Sequence, residues 1–182
     1  MRGPPAYAQL MAPAFAPVLV AAVLLLVAGA GKVRRPAASV GAIRSVGVRV
    51  RRSTVQALGA AEIGLAVAVL TIGGPVPTAL VGLSYLGFTG FLVLALRRGG
   101  AVSSCGCLGR PDTPPTRTHA VVTTALGIAA LVQSLRGGID VGQLSWSPTD
   151  TTLVALSALA TWLTWLAFAV LPHARLPVPK ER

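Results

Sequence analysis

The sequence predicts an all-α fold, a polytopic membrane bundle of five transmembrane helices built as a four-helix core plus one. Three observations carry this. The chain of 182 residues is 53% hydrophobic and only 12% charged, against about 25% charged in a soluble domain. Its mean hydropathy is +0.71. Five apolar runs approach the length of about 20 residues that a helix needs to cross the hydrocarbon core, and the basic residues cluster at the ends of those runs. The length suits one bundle without a second domain.

Taken in order, residues 1–11 form an N-terminal tail, and the first span runs from Ala12 to Gly31. Ala28-Gly29-Ala30 resembles a signal-peptide cleavage site, but Lys32, Arg34 and Arg35 follow at once. Positive charge there resists export, so the run is read as a retained span. The basic segment 33–53 comes next. Val40, Ile43, Val46, Gly47 and Val50 recur at roughly helical spacing from Pro36 to Arg52, with arginines between them. This reads as a short helix in the headgroup plane with its arginines on lipid phosphates. The alternation of Val46, Val48 and Val50 also fits a strand, which would leave its backbone unsatisfied in a membrane setting.

The second span covers Thr54 to Ile72 and the third Val76 to Leu96. Gly73-Gly74-Pro75 between them predicts a tight turn and an antiparallel hairpin. Ala60, Gly64 and Ala68 form a small-residue stripe on the second span, and Gly82, Gly87 and Gly90 thin the third. Such stripes allow close helix packing. A polar loop at 97–117 leads to the fourth span, about Thr118 to Leu135. An external loop at 136–150 follows, with Trp146 expected at the interface. The fifth span is 151–171, where Trp162 and Trp165 read as packing residues, and a basic tail occupies 172–182.

The net charge of +11 does not lie along a soluble face, so nucleic acid is not an expected partner; membrane lipids are. Seven Lys and Arg residues fall in Lys32–Arg52, four in Arg97–Arg117 and three in the tail, leaving Arg2 and Arg136. Five alternating spans then put the N-terminus outside and the C-terminus in the cytoplasm.

Chemistry concentrates in the two cysteines of the chain, Cys105 and Cys107, in Cys105-Gly106-Cys107-Leu108-Gly109. Three readings remain open for them. They form a dithiol–disulfide exchange pair, or two small residues in a tight turn, or part of a metal site with His119 third and Asp112 a poor fourth ligand. A bond across one residue requires the backbone to turn, and Gly106 permits it. Strained, exposed disulfides are the reducible ones. Arg97, Arg98 and Arg110 nearby favour the thiolate. No cofactor motif is present.

Glu62 is the carboxylate inside an apolar span. Such a group faces the bundle interior or a cavity. It reads either as a proton acceptor or donor for thiol exchange, or as an acid hydrogen-bonded between helices. Lys32 is expected to snorkel to the headgroups; pairing with Glu62 would require the first span to tilt. His119 is expected at the interface.

An apolar helix ending in Ala28-Gly29-Ala30-Gly31-Lys32, an intramembrane Glu62, and a Cys105-Gly106-Cys107 loop after the third span resemble the MauE family of methylamine-utilisation membrane proteins, related to the broader DoxX-like group. The resemblance covers about Ala12 to Leu135. In that family the loop usually reads Cys-Gly-Cys-Phe-Gly, so Leu108 is a mild departure. The resemblance implies a membrane protein working beside a thioredoxin-like partner, MauD, in maturing the disulfide-rich small subunit of methylamine dehydrogenase. It points to Cys105 and Cys107, with Glu62 assisting, as a thiol–disulfide oxidoreductase site. The charge count puts that loop inside, whereas the family role concerns exported proteins. A cytoplasmic electron donor, or a loop folding back into the membrane, would reconcile the two. The rival expectations are a non-catalytic assembly factor and a small-molecule transporter using Glu62 as its proton site.

Overall fold

The computed structural model describes residues 15–97, 116–139 and 148–169. Among these described residues six helices follow in order: α1 (Phe15–Arg34), α2 (Pro36–Ser45), α3 (Arg52–Thr71), α4 (Pro75–Arg97), α5 (Arg117–Leu135) and α6 (Pro148–Ala169). Among the described residues there is no β-strand. Helices α1, α3, α4 and α5 are each long and apolar enough to cross a membrane, while α6 carries a shorter apolar stretch, Thr151–Leu166. The architecture is the expected all-α polytopic bundle. Its outer faces expose Ile72, Val76, Leu83, Val121 and Ile128, as lipid-facing surfaces do.

Local chemistry sets the breaks. Pro36 disfavours helical dihedrals at Arg35, whose φ and ψ are −135° and 64°, and then occupies the first turn of α2. Helix α2 exists, but it stops at Ser45 rather than running to Arg52. Gly47, with φ of 85°, terminates it. Gly47 N–H donates to Arg44 O at 2.9 Å and Val48 N–H to Ile43 O at 3.3 Å, a Schellman closure. Gly73 and Gly74 make the α3–α4 turn with φ of 68° and 88°, as Gly73-Gly74-Pro75 predicted. Helix α5 ends like α2, through Gly137 and Gly138. Gly138 lies against the Gly74 backbone, and Gly74 N–H donates to Ile139 O at 2.7 Å. That contact clasps the α3–α4 turn to the exit of α5.

Helix α1 is the central element. Val18, Ala21, Ala22 and Leu25 are completely buried, packed with Ala66 and Val69 of α3, Val81 and Tyr85 of α4, and Leu126 and Ala130 of α5. Tyr85 OH donates to Ala21 O at 2.9 Å. The closest pairings are α1 with α3 and α4 with α5, so the α3–α4 hairpin partners each pack more extensively on another helix.

The small-residue stripes need correction. Ala60 and Gly64 are exposed; the buried face of α3 is Val55, Gly59, Glu62, Ala66 and Val69. A Cβ on Gly59 would meet Gly29 O at 2.7 Å, whereas one on Gly64 would meet open space. On α4, Gly82 is the contact residue, 2.9 Å from Gly127 O by the same construction, and Gly87 and Gly90 face open space. A transmembrane helix is apolar all round, so composition does not mark its inner face.

Candidate functional site

The chemistry-bearing groups gather toward one end of the bundle, where α1 finishes, α3 begins, α4 finishes and α5 begins. Glu62 lies ten residues into α3 on its buried face and is 3% exposed. Lys32, 5% exposed, lies on the last turn of α1. Lys32 Nζ donates to Glu62 Oε2 at 2.8 Å. The expected snorkelling of Lys32 is therefore corrected: its ammonium turns into the bundle.

The reason is geometric. Gly29 and Gly59 let α1 and α3 touch backbone to backbone; a Cβ on Gly29 would sit 2.6 Å from Gly59 O. Lys32 and Glu62 each lie one helical turn beyond their glycine, on antiparallel helices. Helical side chains lean toward their own N-terminus. The two therefore lean toward each other, and the long lysine stem spans the remaining gap.

Lys32 Nζ also lies 4.9 Å from the centroid of the Phe88 ring, within cation–π range. Tyr85 packs edge-on to Phe88 at 5.7 Å. Glu62 Oε2 is engaged by Lys32, but Glu62 Oε1 is buried with no hydrogen-bond partner among the described residues. A buried acceptor without a partner is costly, so Oε1 is acceptor capacity that the described residues leave unused.

Beside Phe88, the hydroxyls of Thr89, Thr123 and Thr124 cluster between α4 and α5. Thr89 and Thr123 are 2.9 Å apart, and Thr124 donates to Thr89 at 3.3 Å. One turn toward the helix end, at the third residue of α5, His119 is 5% exposed, its side chain covered by the bundle. Thr116 caps α5 by accepting from His119 N–H at 3.2 Å, and its hydroxyl lies 2.9 Å from His119 Nδ1. The same hydroxyl that caps the helix thus also holds the imidazole. Trp162 is 57% exposed and stacks on Trp165 at 5.3 Å, so packing describes only part of that pair.

Cys105, Cys107 and Asp112 lie outside the described residues, as does Trp146. Among the described residues, no group of three or more His, Cys, Asp or Glu is placed to hold a metal ion. The structure thus joins Glu62 to Lys32, a partner the sequence reading set aside. The segment 98–115, which holds the cysteines, leaves from Arg97 and returns at Thr116, both at this end of the bundle.

The family model described as methylamine utilisation protein MauE matches residues 9–136. The chain belongs to the MauE family. The match takes in α1 through α5 together with Lys32, Glu62, Cys105 and Cys107, and leaves α6 beyond it. No curated protein and no solved structure matches the chain significantly. Membership of the MauE family, with four membrane-crossing helices, makes this a multi-pass membrane protein associated with methylamine utilisation.

Proposed function

We propose that this MauE-family protein exchanges thiols and disulfides with a thioredoxin-like, MauD-like partner, in support of maturing an exported, disulfide-rich protein. The observation that carries the reading is that both cysteines of the chain fall, one residue apart, in the matched segment between α4 and α5. One thiolate attacks the partner's disulfide, forming a mixed disulfide and releasing one partner thiolate. The other attacks that mixed disulfide, closing Cys105–Cys107 and releasing the second. Two electrons pass to the partner. Glu62 is the proposed proton acceptor, its Oε1 being without a hydrogen-bond partner among the described residues. The charge count supports an outside N-terminus and a cytoplasmic C-terminus.

The test is the double change Cys105→Ser, Cys107→Ser. Loss of partner maturation, with the protein still folded in the membrane, supports exchange. Retained maturation rejects it in favour of a non-catalytic assembly role. The buried, unpaired Oε1 also favours a second reading, a transporter with Glu62 as its proton site. Under that reading Glu62→Gln abolishes pH-coupled uptake while the serine variant retains it. A membrane-impermeant thiol reagent, applied before and after reduction, reports the side and redox state of Cys105 and Cys107.

A further inference from the structure

We infer that the loop joining α2 to α3 forms a defined binding site for the phosphate of an anionic phospholipid headgroup, held by Arg44, Arg49 and Arg51. These three arginines, with Gly47, Val48 and Val50, line an open cavity of about 630 Å³. The loop is framed rather than loose. Val46 and Ala42 are buried with Ala95 of α4, the half-buried Phe91 packs against them, the Schellman closure fixes the turn at Gly47, and Arg44 Nη2 donates to Val50 O at 2.9 Å. A guanidinium has five donors, so Arg44 keeps others for a ligand.

No carboxylate among the described residues compensates the charge in this cup. Among the described residues the one ion pair is Lys32–Glu62, and it leaves these arginines without a carboxylate. The N-terminus of α3 adds to the field: Arg51 is its N-cap, no side chain caps it, and its first turn holds no acidic residue. The amides and dipole at the start of a 20-residue helix therefore also await an anion. The setting selects lipid over free anion. The loop sits where membrane-crossing helices end, and Val48, 51% exposed, stands beside the arginines. An apolar side chain next to guanidinium groups suits the boundary between headgroup and acyl chain. This goes beyond general attraction of basic residues to the membrane, because Arg34 and Arg35, equally basic and exposed, lie outside the cup.

The experiment titrates the purified full chain, in mixed micelles, with phosphatidylglycerol, phosphatidylcholine or inorganic phosphate, and reads the shift in unfolding midpoint. Phosphatidylglycerol is expected to stabilise the protein saturably, with phosphatidylcholine and inorganic phosphate giving little shift. R49Q/R51Q, which leaves the Arg44 bond in place, should weaken the apparent affinity about thirtyfold, and R34Q/R35Q by no more than about threefold. R49K/R51K, which keeps charge but loses the planar fork, should fall between them and guards against a fold defect. Equal losses in the two glutamine variants would reduce the site to diffuse attraction and overturn the proposal. Equal stabilisation by inorganic phosphate would overturn the lipid assignment.

Discussion

Replacing Lys32 by Met keeps a long flexible stem against Gly59 and removes the ammonium from a site where Glu62 is 3% exposed. Glu62 then loses its 2.8 Å partner and has neither oxygen hydrogen-bonded. Removing one member of a buried pair costs about 3–5 kcal/mol. For a chain of this size that corresponds to a fall in Tm of about 6–20 °C. The paired change Lys32→Met, Glu62→Leu should recover most of it, because two apolar side chains leave no stranded charge. The assay is thermal unfolding of the four purified proteins, K32M, E62L, the double variant and the parent, in one detergent. A double-mutant cycle should give a coupling of at least about 2 kcal/mol. Two small, additive single effects would refute the claim that this pair holds α1 to α3.

Other expectations follow from the packing. Gly59→Ala should destabilise by about 1–3 kcal/mol despite its better helix propensity, since its Cβ meets Gly29 O at 2.7 Å. Gly64→Ala, with open space around it, should be neutral or stabilise by up to about 1 kcal/mol; the same melts compare them. Tyr85→Phe should lower stability by about 0.5–1.5 kcal/mol through loss of the bond to Ala21 O, seen as a shifted unfolding midpoint with unchanged helix content. Thr116→Val removes the cap of α5 and should cost about 1 kcal/mol, with faster amide exchange confined to the first turn of that helix.

The helices of the described residues and most of their breaks were legible because they follow from local rules; the stop of α2 before Gly47 was not. Long apolar runs must be helical in hydrocarbon, and Gly73-Gly74-Pro75 and Pro36 act within a residue or two of themselves. Which face of a span turns inward was not legible in the same way. Ala60, Gly64 and Ala68 looked as suitable for close packing as the face that carries Gly59, and the contrast between wet and dry sides that orients a soluble helix is missing here. Lys32 was misassigned for a related reason. A lysine at the end of a span has two outlets, the headgroups or a buried acid, and its proximity along the chain favours the first. The signal for the second was present: Gly29 and Lys32, like Gly59 and Glu62, are separated by one turn, so apposed glycines imply converging side chains. The fall of His119 under the Thr116 cap depends on a hydroxyl three residues away and was readable only as a helix start.

The Lys32–Glu62 pair also sets an order of events during synthesis. Its halves are thirty residues apart in the chain, so the ribosome delivers the ammonium before its counter-ion. Until the helix bearing Glu62 arrives, Lys32 has no carboxylate to meet it, and an unpaired ammonium is costly to bury. A truncated product ending before Glu62 is therefore expected to leave Lys32 open to aqueous amine reagents, and the full chain to shield it.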